Sequence, residues 1–271
     1  MQDRDQHFLS GDARLRLRDE GTGAPVVLIH GWTLDLEAWD PQAAALAPSM
    51  RVIRYDRRGF GFSGGVPGRA ADHEDLARLL DHLGIEAATL VGLSQGARVA
   101  LEFALREPGR VTALVLDGPP DETGEAADGA DEDFSIAEYR KMVAQHGVEA
   151  FRRAWRDHPL MRLHTGDAAV RALADRVLAR YPARDLAGAP DVAPPPAGRA
   201  VLARLSRPAL IVNGELDTRA RLRAGETLAR ALPAAERIVV PGAGHLPNLD
   251  APRAYNDAVQ TFVRRQSLAA A

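Results

Sequence analysis

The chain has 271 residues and a formal net charge of −3, long enough to bury a large core as one α/β domain with an insertion or as two domains. Lys and Arg are spread along the whole sequence, without the basic patch that nucleic acid or anionic lipid demands, so neither nucleic acid nor a membrane surface is an expected partner. With no cysteine, disulfides, thiolate zinc sites and iron–sulfur clusters are excluded.

Met1 to Ser10 is polar and charged, without the basic start, apolar run and cleavage site of a signal peptide, which makes a cytoplasmic protein the expectation. No apolar run approaches the roughly 20 residues of a membrane-crossing helix. Leu15-Arg16-Leu17-Arg18 alternates apolar with charged, which predicts an opening antiparallel strand at a sheet edge, ended by the turn residues Gly21 to Pro25. Four later runs, Val26 to His30, Thr89 to Leu93, Leu114 to Leu116 and Ala209 to Val212, are continuously aliphatic, as strands buried on both faces are. Arg51 to Asp56 and Arg237 to Val240 are rich in β-formers but bounded by charge, as expected nearer a sheet edge or at strand ends.

Between these runs lie helical patterns over Ala38–Ala47, Asp72–Leu83, Gln95–Arg106, Leu222–Ala231 and Ala251–Arg264, with apolar residues recurring at three and four. Strand and helix in alternation imply a mostly parallel sheet with helices on both faces. The alternation breaks after Gly118. Pro119 to Asp133 is acidic and Gly-rich, with Asp121 to Asp133 expected to be a solvated, mobile connector; Phe134 to Tyr181 reads as two or three helices; Asp185 to Gly198 is a linker of Pro, Ala and Gly. Residues 1–118 and 199–271 are therefore expected to form the α/β core and residues 119–198 an inserted helical cap.

Gly92-Leu93-Ser94-Gln95-Gly96 lies between an aliphatic strand and a helical pattern, the setting that a G-x-S-x-G nucleophile elbow requires. Ser94 is the candidate nucleophile. A serine hydroxyl needs a base of nearby pKa, and His245 follows the last strand in the Gly-rich loop Pro241-Gly242-Ala243-Gly244, at the sheet edge where active sites of open parallel sheets collect. Asp217, in the loop after the preceding core strand, is the candidate acid that orients His245. The chain order Ser, Asp, His is the one found with the elbow. Two backbone N–H groups should stabilise an oxyanion: that of Gln95, after the nucleophile, and that of Trp32, where Gly31 lets the backbone pass close to the site.

These motifs, with Asp56-Arg57-Arg58-Gly59-Phe60-Gly61-Phe62-Ser63 and Gly244-His245-Leu246-Pro247-Asn248, resemble those of the cap-bearing α/β-hydrolases, a group that includes bacterial aryl esterases, 3-oxoadipate enol-lactonases and C–C bond hydrolases. The resemblance implies the α/β-hydrolase fold, a Ser-His-Asp triad, an acyl-enzyme, no metal or organic cofactor and a small-molecule carboxylic ester or lactone as substrate. It leaves open C–C bond cleavage on the same triad, a cofactor-independent oxygenase, and a small-molecule receptor with little turnover. The assembly is expected to be a monomer or a homodimer. Gln95 stands where such elbows often carry methionine, and its side chain is expected to face the substrate pocket. Asp117, at its own strand end, is the alternative acid position. His30, Asp56 and Arg58 are expected to brace their loops. His146, His158 and His164 lack metal-ligand spacing, and Met142, Phe151, Trp155 and Met161, at helical spacing, read mainly as core with some members facing the site.

Overall fold

The computed structural model describes residues 5–125, 134–188 and 196–269. Much of the acidic connector (126–133) and of the Pro-rich linker (189–195) therefore lies outside the described residues. Among those described, eight strands, β1 (Gln6–Ser10), β2 (Ala13–Glu20), β3 (Pro25–Ile29), β4 (Arg51–Tyr55), β5 (Ala88–Leu93), β6 (Val111–Asp117), β7 (Ala209–Gly214) and β8 (Ala235–Val240), form one sheet in the order β1-β2-β4-β3-β5-β6-β7-β8. β1 with β2 and β2 with β4 are antiparallel; every later pair is parallel. The helices are α1 (Asp40–Leu46), α2 (Arg69–His82), α3 (Gln95–Arg106), α4 (Ile136–Arg156), α5 (Ala168–Arg180), α6 (Arg184–Ala187), α7 (Arg199–Leu202), α8 (Arg219–Ala231), α9 (Pro247–Asp250) and α10 (Pro252–Ala269).

Pleating explains the aliphatic runs. Val26 and Leu28 of β3 pack with α1 and α10, whereas Val27 and Ile29 pack with α2, α3 and α8, and β5, β6 and β7 divide their residues the same way. Each of these strands is buried on two faces, so each must be apolar at consecutive positions rather than at alternate ones. α4 to α7 stand between β6 and β7 in the chain. Phe151, Trp155, Leu173 and Val177 from these helices share one apolar cluster with Trp32 and Leu246 of the sheet-edge loops, which brings this segment onto the edge where Ser94 sits.

One strand position differs from expectation. The Leu15–Arg18 strand, β2, is not the edge, because β1 pairs outside it through a tight turn at Gly11 (φ 61°). Gln6–Ser10 has a single buried apolar side chain, Phe8, stacked on His82; such a short edge strand leaves little period-2 signal. β4 lies inside the sheet, between β2 and β3, so of the two readings of its bounding charges, sheet edge or strand ends, it is the strand ends that Arg51 and Asp56 mark. Its charged residues are tolerated there because Arg51 pairs with Asp19 at 2.7 Å and Arg54 with Glu20 at 2.9 Å and with Asp40. No helix among the described residues is long and apolar enough to cross a membrane.

Candidate active site

Ser94 joins β5 to α3 at φ 54°, ψ −112°, a left-handed backbone conformation that costs an L-residue on the order of 1–2 kcal/mol. The turn is held by its own N–H, which donates to the Asp117 carbonyl at 2.7 Å. The flanking glycines are required by space: a Cβ on Gly92 would lie 2.2 Å from the Gly96 carbonyl oxygen, and one on Gly96 would lie 2.2 Å from the Ile29 carbonyl oxygen. The elbow is thus wedged between β3 and β6, and the serine hydroxyl rises above the strand ends at the start of α3.

Asp217 and His245 approach from the loops after β7 and β8. His245 Nδ1 is 3.0 and 3.1 Å from the two carboxylate oxygens of Asp217, with both side chains buried. Gly214 makes this meeting possible, since any side chain there would drive a Cβ to 1.9 Å from the Gly244 carbonyl and part the two loops. Asp217 also accepts from the Thr218 N–H at 2.7 Å, which fixes the carboxylate plane. Asp117 lies fully buried at the end of β6, and neither of its carboxylate oxygens has a hydrogen-bond partner of good geometry among the described residues. Burial, followed by the charge of Asp217, pushes its carboxyl well above the usual range. It is Asp217, not Asp117, that holds the imidazole.

The loop after β3 passes beside the elbow: a Cβ on Gly31 would meet the Leu93 carbonyl at 3.1 Å and the Ser94 Cβ at 3.5 Å. His30 braces it. The Arg57 N–H donates to His30 Nε2 at 2.9 Å, so Nδ1 carries the proton and donates to the Gly31 carbonyl at 2.8 Å. Burial and the Arg57 charge push this imidazole down to about 3, so it stays neutral. Asp56 accepts from the Leu36 and Phe62 N–H groups, both at 2.8 Å, and Arg58 forks onto Asp75 at 2.7 and 3.0 Å. Both residues brace the loop after β4.

Gln95 departs from expectation. Its side chain accepts from Arg57 Nη1 at 2.7 Å rather than lining the cavity above Ser94, and Arg57 is itself clamped to Asp72 at 2.6 and 2.9 Å. A buried guanidinium needs acceptors for its N–H groups to offset the cost of burying its charge, and Gln95 supplies an oxygen that methionine could not. Sequence reading missed this clamp because Arg57, Asp72 and Gln95 stand on three different elements. The signal available was an arginine following β4 and a polar residue at the elbow.

Ser94 and His245 face one cavity of about 20 Å³, room for roughly a single water. Trp32, Phe134, Trp155, Leu160 and Met161 close it from the loop and α4 side. The Trp32 ring stacks on Phe134 with centroids 5.0 Å apart and meets Trp155 edge-on at 4.7 Å. Trp32 Nε1 and the Tyr181 hydroxyl both donate to Asp185, at 2.6 and 2.5 Å, and Trp155 Nε1 donates to Thr33 at 2.8 Å. His158 stacks on Trp155 at 4.4 Å, and no group of three His, Asp or Glu suited to a metal occurs among the described residues.

Known proteins share this architecture. Over 277 residues, covering 98% of this chain and 95% of the relative, the chain is 28% identical to a 2-hydroxymuconate semialdehyde hydrolase of Pseudomonas sp. (strain CF600). A thermophilic esterase from Thermogutta terrifontis superposes with a TM-score of 0.79 at 28% identity, over 97% of this chain and 98% of that one. An enol-lactonase from Burkholderia xenovorans LB400 does so with a TM-score of 0.80 at 25% identity, over 96% and 100%. The family model for the alpha/beta hydrolase fold matches residues 24–252, and the chain belongs to that family.

Proposed function

We propose that this protein is a serine hydrolase that cleaves a small carboxylic ester or lactone, with Ser94 as nucleophile, His245 as base and Asp217 as the acid that orients it. The observation that carries the reading is the buried His245–Asp217 pair opening onto the same cavity as a serine held in a left-handed turn. In this reading His245 takes the Ser94 proton as the hydroxyl oxygen bonds to the acyl carbon, and Asp217 stabilises the imidazolium. The oxyanion accepts from the N–H groups of Trp32 and Gln95, each worth about 3 kcal/mol in the transition state. His245 then protonates the departing alkoxide. Water, deprotonated by the same imidazole, attacks the acyl-enzyme and releases the acid and Ser94. Residues 119–198 act as a cap that excludes water from this sequence.

Intact-protein mass spectrometry after treatment with a fluorophosphonate tests the triad without knowing the substrate. One adduct on Ser94, absent from Ser94→Ala and His245→Ala, is expected; a folded wild type that stays unlabelled refutes the proposal. A second reading, C–C bond cleavage on the same triad, is favoured by the near full-length likeness to a semialdehyde hydrolase. A dienoic acid released from a vinylogous diketone, beside negligible ester turnover, would select it.

A further inference from the structure

An acyl-enzyme holds the acyl part of its substrate in the space that adjoins both the nucleophile and the oxyanion donors. Here that space is the cavity over Ser94, and its walls are hydrocarbon and aromatic ring: Trp32, Leu34, Phe134, Trp155, Leu160 and Met161. The polar atoms that these walls could have offered are already engaged. Trp32 Nε1 donates away from the cavity to Asp185, and Trp155 Nε1 donates to Thr33. Beyond Ser94 and His245, no wall residue has a titratable or hydroxyl-bearing side chain.

His158, the histidine stacked on Trp155 and edge-on to Phe134, is not among the residues that line the cavity, and three arginines of the surrounding elements are committed elsewhere. Arg180 is held by Asp35 and Glu37, both at 2.8 Å, Arg140 by the carbonyls of Asp185 and Gly188 at 2.8 and 2.6 Å, and Arg57 by Asp72 and Gln95. Arg156 and Arg162, next in sequence to wall residues, are exposed. The stretches 126–133 and 189–195, outside the described residues, contain no Lys, Arg or His; the first ends Asp131-Glu132-Asp133, directly before the wall residue Phe134. A carboxylate, Asp185, lies against the outer side of the aromatic walls, 2.6 Å from Trp32 Nε1.

Resting on the serine-hydrolase reading, we infer that the site takes neutral substrates with a hydrocarbon acyl part, aliphatic or aryl, and rejects those with a carboxylate on the acyl chain. A carboxylate brought into these walls loses its water and, beyond the catalytic groups themselves, meets no cationic or hydrogen-bond-donating side chain free among the lining residues, which leaves a poorly compensated buried charge. An alkyl or aryl group of the same length gains burial and ring contact at no such cost.

Three phenyl esters of matched length separate charge from size: phenyl butyrate, phenyl hydrogen succinate and phenyl methyl succinate, with phenol release as the readout. The wild-type protein is expected to show kcat/KM for the hydrogen succinate about 100-fold or more below that for the butyrate, with the methyl-capped diester within roughly tenfold of the butyrate. Turnover of the hydrogen succinate within threefold of the butyrate overturns this inference while leaving the hydrolase reading intact. Inertness of all three esters, together with Ser94 unlabelled by the fluorophosphonate, overturns the hydrolase reading and the inference with it.

Discussion

Gly118→Ala tests whether the imidazole has any freedom. Gly118 follows β6 directly, at φ 49°, and a Cβ there would lie 2.7 Å from His245 Cε1, 2.9 Å from its Nδ1 and 3.5 Å from an Asp217 carboxylate oxygen. Nonbonded carbon contacts settle near 3.5 Å or above, so something must retreat by about 0.8 Å. The backbone is poorly placed to yield, because the Gly118 N–H donates to the Val212 carbonyl at 2.9 Å and its own carbonyl accepts from Arg221 at 3.3 Å. The ring therefore moves, and misplacing a catalytic group by about 1 Å costs on the order of 10²-fold. An alanine in the left-handed region adds about 1–2 kcal/mol of strain, a melting-temperature loss of roughly 2–8 °C for a chain of this size. Steady-state kinetics on a short-chain aryl ester should thus show kcat reduced about 100-fold in a protein that still melts cooperatively by circular dichroism. A folded variant within threefold of wild-type kcat would refute the placement of His245 as base.

Asp217→Asn should preserve the fold yet lower kcat about 10⁴-fold, because an amide stabilises the wrong imidazole tautomer and no imidazolium; a loss under tenfold would move the acid role elsewhere. His30 should keep its proton on Nδ1 and remain neutral from pH 8 to pH 5 in nitrogen-detected NMR, and a midpoint near 6.5 would contradict its burial. Because its folded value is pushed down to about 3 while the unfolded ring titrates near 6.5, its stabilising share is full above about pH 6.5. That share is lost as pH falls toward 3, at up to about 1.4 kcal/mol per unit, which urea melts on wild type and His30→Asn would resolve. Asp185→Ala strips the acceptor from both Trp32 and Tyr181, and should cost about 2–4 kcal/mol in denaturant melts; a change below about 0.5 kcal/mol would mean that water replaces the carboxylate freely.

The central sheet was legible in the sequence because burial on two faces writes itself as uninterrupted aliphatic residues, and β3, β5, β6 and β7 lie where those runs are. The edge was less legible. β1 buries a single apolar side chain, and the interior place of β4 depends on Asp19 and Glu20, some 30 residues away, neutralising its arginines. At the site, the backbone-determined parts could be read: glycines on both sides of Ser94, and loops after β7 and β8 that carry Asp217 and His245. What could not be read were side-chain commitments between distant elements. The Gln95 side chain could have pointed into the cavity or toward Arg57, and only the joint position of β4, α2 and α3 decides it. The same holds for Asp185, whose two partners lie 4 and 153 positions away.

The Asp185 bridge gives admission of substrate a second meaning. The cavity beside Ser94 has room for about one water, and α6, which carries Asp185, is fastened to the indole of Trp32, the residue proposed to supply an oxyanion N–H. An opening that displaced α6 would therefore be transmitted to Trp32 through this bond, and entry of substrate and alignment of the proposed oxyanion donor would share one conformational coordinate. Tryptophan emission, compared between wild type and Asp185→Ala, would then report both events as a single relaxation.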